Sequence, residues 1–167
     1  MSLVLNTDFV GEWKISQKCA DELTEYITRY ENLYLVRLLG KELYDLFIAD
    51  LDASTPQVPQ SARFLAIYNS FEQDESNCVI VSEGMRLMLI QLIFFHFVRD
   101  QAYQNTPVGQ VHAMSATTSM PGYNGYNLTT SYNRGIENYR SIQWKILDES
   151  STYPEENTQH QRMIWGS

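Results

Sequence analysis

Met85-Arg86-Leu87-Met88-Leu89-Ile90-Gln91-Leu92-Ile93-Phe94-Phe95-His96-Phe97-Val98 is the most apolar stretch of this chain, and its reading decides the fold. A helix apolar on nearly every side belongs at the centre of a bundle, covered by its neighbours. A membrane span is the rival reading. It needs about 20 apolar residues, and this run is broken by Arg86, Gln91, His96 and Arg99, so the expectation is a central helix and no membrane. Ser82 stands as its N-cap with Glu83 set favourably against the helix dipole, after a brief extended approach over Val79 to Val81.

Working outward, Cys19, Leu23, Tyr26, Ile27, Tyr30, Leu33, Tyr34 and Leu38 recur at helical spacing, while Asp21, Glu22, Glu25, Arg29 and Glu31 take the opposite, solvent-facing side. Gly40 closes that helix with a left-handed cap, and a second pattern (Leu43, Tyr44, Phe47, Ile48, Leu51) starts at once, which predicts a sharp turn. Pro56 and Pro59 make 52–60 a loop. Ser61 caps a short helix carrying Phe64, Leu65, Tyr68 and Phe71, which runs out in the polar stretch Gln73 to Asn77. Tyr132, Ile136, Tyr139, Ile142 and Ile146 predict a last helix ending near Asp148. The expected fold is all-α, an antiparallel helical bundle of about five helices in one domain over residues 1–150.

Between the last two helices lies a polar interruption, Gln104 to Asn127, longer than compact domains carry without a functional reason. Ordering it costs roughly 1 to 2 kcal/mol per residue. Its few apolar side chains, Val108, Val111, Met114, Met120, Tyr123 and Tyr126, each return about 1.5 to 3 kcal/mol if fully buried. The loop therefore reads either as a floppy insertion or as a segment completed by a neighbouring molecule. Gly109 to Ser119, rich in Val, Thr, Ser and Met, suits a β-strand or β-hairpin added to the same loop of another subunit. The polar tail, 151–167, ends on Met163-Ile164-Trp165, which reads as a docking anchor for a partner or as a tail folded back onto its own body.

Composition narrows the chemistry. The net charge of -8 repels phosphate backbones, so tight nucleic-acid wrapping is not expected. Cys19 and Cys78 form no Cys-x-x-Cys pair, and Met1 to Val10 lacks a signal-peptide pattern, so neither a disulfide framework nor secretion is expected. His96, His112 and His160 stand apart from one another, with no second ligand at metal-binding spacing. Gly109, Gly122 and Gly125 fit no phosphate-cradling fingerprint. No catalytic, cofactor-binding or metal-ligating residue is expected, and His96 reads as a core histidine bonded to a neighbour.

Several strings carry a resemblance: Asn6-Thr7-Asp8-Phe9-Val10-Gly11, Leu39-Gly40-Lys41-Glu42-Leu43-Tyr44-Asp45-Leu46-Phe47-Ile48, Phe97-Val98-Arg99-Asp100-Gln101 with Tyr103, and Tyr132-Asn133-Arg134-Gly135-Ile136. Up to about Pro154 the chain resembles the head-to-tail connector, or adaptor, proteins of tailed bacteriophages. Cys19 and Ser119-Met120-Pro121-Gly122-Tyr123 match nothing in that family. The resemblance implies a virion structural protein of the neck, made in the host cytoplasm, forming a homo-oligomeric, dodecameric ring that binds the portal protein and other neck or tail proteins. DNA would pass through without tight binding. The long loop would then pair with adjacent subunits, and a closed ring requires two different patches on each protomer. Two rival readings are a cytoplasmic helical protein-binding or regulatory module, and an enzyme using a pocket between helices around His96.

Overall fold

The computed structural model describes residues 2–16, 19–54, 56–75, 78–101, 103–106, 109–112 and 125–155. Four α-helices dominate it: α1 (Ala20–Asp50), α2 (Ala62–Tyr68), α3 (Met85–Gln101) and α4 (Gly125–Asp148). Two antiparallel strand pairs join them, β1 (Phe71–Glu75) with β2 (Cys78–Ser82) and β3 (Tyr103–Thr106) with β4 (Gly109–His112). The fold is predominantly helical. Its described residues form four named α-helices, and α1 is itself two helical segments that meet at a kink at Gly40, where the sequence predicts a sharp turn. Gly40 adopts φ 67° and ψ 167°, extended backbone of mirror hand that only glycine enters freely, so glycine breaks the helix there as expected, though not in the left-handed helical conformation of a cap.

As its composition predicts, α3 is the centre. Met85, Met88, Leu89, Leu92 and Ile93 have no exposed surface. They are covered by the stripe Leu23, Ile27, Tyr30, Tyr34 and Leu38 of α1 and by Ile142 and Ile146 of α4, all buried. The second half of α1 contributes Phe47, which meets Phe64 of α2 edge to face with ring centroids 5.3 Å apart. No helix among the described residues is long and apolar enough to cross a membrane.

Three sequence expectations are corrected by contacts between distant segments. Glu31, expected on the solvent face of α1, is only 7% exposed. Its carboxylate accepts hydrogen bonds from the backbone N–H of Leu3 (3.1 Å) and Val4 (3.3 Å) and from the Ser2 hydroxyl (3.1 Å), anchoring an amino-terminal segment whose Leu3 and Val4 fill the core. Burial raises its pKa and these hydrogen bonds oppose the rise. Next, the polar run from Gln73 is a strand: it pairs with the supposed short approach to α3, Phe71 opposite Ser82, Gln73 opposite Ile80 and Glu75 opposite Cys78. Third, Tyr153 lies in the stretch read as a solvated tail and yet has no exposed surface; its hydroxyl donates to the Arg63 carbonyl at 2.5 Å. The expected caps also differ. Ser61 makes no side-chain capping bond and instead donates to Asp50, while α3 begins three residues after Ser82.

Candidate interaction surface

The surface that sequence points to hangs on the junction of α3 and α4. These helices approach so closely at Gly135 that a Cβ built there would lie 2.8 Å from Leu92 Cγ and Cδ2, which is why a glycine stands in mid-helix despite its propensity cost. One turn on, Asn138 enters a buried polar clamp. Its Oδ1 accepts from the Glu83 backbone N–H (2.8 Å), and its Nδ2 donates to Gln91 Oε1 and Glu83 Oε2 (3.1 Å each). Gln91 Nε2 donates to Glu83 Oε2 at 3.0 Å. The polar residue that interrupts the apolar run of α3 is thus fully satisfied, as a buried amide must be. The clamp ties the β2–α3 junction to α4.

From the end of α3 the chain turns directly into the β3–β4 hairpin, with Tyr103 opposite His112, Gln104 opposite Val111 and Thr106 opposite Gly109. Strand pairing therefore occurs within the region expected to be a loop, here between neighbouring segments of one chain. Of the six loop residues singled out from sequence, Val111 lies on β4, and Tyr126 belongs to the first turn of α4, since that helix starts at Gly125. Val108, Met114, Met120 and Tyr123 lie outside the described residues, as do Met163, Ile164 and Trp165.

The second hairpin was not anticipated as an interaction surface. One face of β1–β2 packs on α4, where the Lys145 ammonium sits 4.7 Å from the Phe71 ring centroid and bonds Gln73 Oε1 at 3.3 Å. The other face carries Glu72 opposite Val81 and Asp74 opposite Val79, all four exposed, with the valines at 56% and 53%. A solvated face of an antiparallel sheet normally carries polar residues at such positions. The alternation Val79-Ile80-Val81 was the available signal, but three β-branched residues in a row do not say which side faces the core.

His96 was the one residue on which an enzymatic reading rested. Its Nε2 shares a 2.7 Å hydrogen bond with the Tyr34 hydroxyl, and its ring stacks on Tyr30 with centroids 4.0 Å apart and planes within 7°. Nδ1 is buried with no hydrogen-bond partner among the described residues. Burial, reinforced by the Arg99 guanidinium, lowers the imidazole pKa to about 4, so the ring is neutral at pH 7. Burial also pushes the Tyr34 hydroxyl up to about 12. A neutral, stacked imidazole bonded to a phenol that holds its proton is an arrangement for packing α1 against α3.

The sign of the resulting pH dependence follows from linkage. The ordinary imidazole pKa, about 6.5, lies above the folded value, so the stability tied to this site is fully present above pH about 6.5 and is lost as pH falls through about 4. Urea unfolding midpoints should drop over that window, and His96→Phe should flatten this part of the profile. An NMR titration of the His96 imidazole with a midpoint near 6.5 would contradict the packing role.

A surface hollow of about 480 Å³ lies beside Asp8, Val10, Arg86, Leu87 and Ile90. Arg86 is already engaged there by Asp8 at 2.6 Å. Among the described residues no group of three or more His, Cys, Asp or Glu side chains is arranged to hold a metal ion. No protein-family model, curated protein or solved structure matches the chain.

Proposed function

We propose that this chain is a structural subunit of the neck of a tailed-phage virion, a connector that assembles into a ring between portal and tail and performs no catalysis. The observation that carries the reading is the α3–α4 connection. The helical body is closed by α1, α3 and α4, while the connection leaves that body as a β-hairpin whose only extensive neighbour among the described elements is α3, from which it springs. A two-stranded ribbon is marginal in water and leaves unpaired backbone groups along its outer edges. An adjacent protomer supplies the missing strand or cover, with Val108, Val111, Met114, Met120 and Tyr123 as the apolar contacts and Tyr126 at the root of α4. The helical face of that neighbour is the second, different patch that a closed ring needs.

Acidity supports the same reading. A net charge of -8 gives few phosphate contacts, which suits a channel through which DNA slides. The test is electron microscopy of the purified protein with the portal protein of the same virion. Closed rings seated on the portal are the expected result. Failure to bind the portal or any tail component, at protein concentrations where the chain is folded, would refute the proposal.

A further inference from the structure

Among the described residues nothing covers the outward face of the β1–β2 hairpin, and we propose that the carboxy-terminal segment of the same chain, residues 156–167, docks there. Arg162 would lie against Glu72 and Asp74, and Met163-Ile164-Trp165 over Val79 and Val81. This inference goes beyond the neck reading and stands or falls separately from it.

The first argument is chemical. The face is divided lengthwise, with two carboxylates on β1 and two exposed valines directly opposite them on β2. Its complement is a cation beside a short apolar run. Residues 156–167 contain that order in Arg162-Met163-Ile164-Trp165, and Arg162 is the only Lys or Arg in the segment. A two-stranded ribbon covered on one face alone is marginal, so burying both valines stabilises the hairpin as well as the tail.

The second argument is reach. The last residue of α4, Asp148, accepts a 3.4 Å hydrogen bond from Gln73, so the chain leaves α4 beside β1. It then turns back through bonds from the Thr152 and Tyr153 N–H groups to the Glu149 carbonyl, and is pinned on Arg63 by the buried Tyr153 and by the 3.2 Å Arg63–Glu155 ion pair. Arg63 is separated from the start of β1 by the rest of α2, about 8 Å at 1.5 Å per residue, and by the three steps from Tyr68 to Phe71, at most about 10 Å when extended. The stretch from Glu155 to Arg162 spans up to roughly 25 Å. Arg162 therefore reaches β1 of its own protomer without strain.

The experiment uses the full chain, dilute and monomeric, with labelled valine methyls. Nuclear Overhauser contacts between the Trp165 indole and the Val79 and Val81 methyls are expected. They should vanish in Glu72→Lys/Asp74→Lys and return when Arg162→Glu is added to that pair, a rescue that nonspecific stickiness would not show. Ile164→Ser/Trp165→Ser in the full chain should shift the two methyl resonances while leaving those of the core unchanged. Identical Val79 and Val81 resonances with and without those substitutions would overturn the proposal. So would contacts found only between differently labelled molecules, which would assign the face to a second copy.

Discussion

Tyr153→Ala is expected to destabilise the protein by about 3 to 5 kcal/mol, the range for emptying an aromatic-sized site in a packed core. Tyr153 has no exposed surface, and its hydroxyl satisfies the carbonyl of Arg63, a residue whose guanidinium also lies 4.4 Å from the Phe64 ring centroid. Losing the ring empties the space between the end of α4 and α2, and losing the hydroxyl leaves a carbonyl without its donor. Tyr153→Phe separates the two effects and should cost about 1 kcal/mol, the hydrogen bond alone. Urea unfolding gives both values, with the midpoint falling and the slope unchanged. A Tyr153→Ala loss below about 1 kcal/mol would mean that the chain beyond α4 is not part of the core, and the anchor from which the carboxy-terminal segment reaches β1 would be gone.

Gly135→Val is the second large effect, expected at about 3 kcal/mol, the upper end for overpacking. Even the alanine Cβ would sit 2.8 Å from two carbons of Leu92 and 3.4 Å from Gln91 Cβ, so the branched methyls of valine must push α4 away from α3. Gly135→Ala makes a graded comparison, because its gain in helix propensity, about 1 kcal/mol, partly offsets the clash. If the contact with Leu92 is the cause, Leu92→Ala and Gly135→Val should cost less together than the sum of their separate losses, since each relieves the other. Additive losses would place the strain elsewhere. Separation of α3 from α4 would also disturb the Asn138, Gln91 and Glu83 clamp, so on the proposed ring reading Gly135→Val protein that still folds should assemble poorly through the connection between these helices.

Much of the helical body was legible residue by residue. The spacing of Leu23, Ile27, Tyr30, Tyr34 and Leu38 identified the buried stripe of α1, the all-round apolarity of Met85 to Val98 identified the central helix, and Ile142 and Ile146 lie where the period of α4 placed them. His96 was read as a core histidine bonded to a neighbour, and the neighbour is Tyr34. The readings that failed share one cause. Glu31 looks like a solvent-facing acid until the Leu3 and Val4 amides arrive from 28 and 27 residues away. Likewise, Tyr153 sits among Ser, Thr, Pro and Glu, and only its contact with Arg63, 90 residues earlier, makes it core. Gln73 to Glu75 is too polar to read as a strand by composition, and becomes one because Cys78 to Ile80 pairs with it.

Periodicity is a local property: a side chain's place on its own helix depends on residues three and four positions away, so the sequence by itself determined where the helices lie, which of them is central and which faces they bury. It also showed that the stretch between the last two helices is short of apolar contacts. Whether a carboxylate, a tyrosine or a polar strand is buried depends on which distant segment reaches it. Only the tertiary structure decided this, because hydrogen-bond partners and packing contacts between segments far apart in sequence leave no regular spacing in either of them.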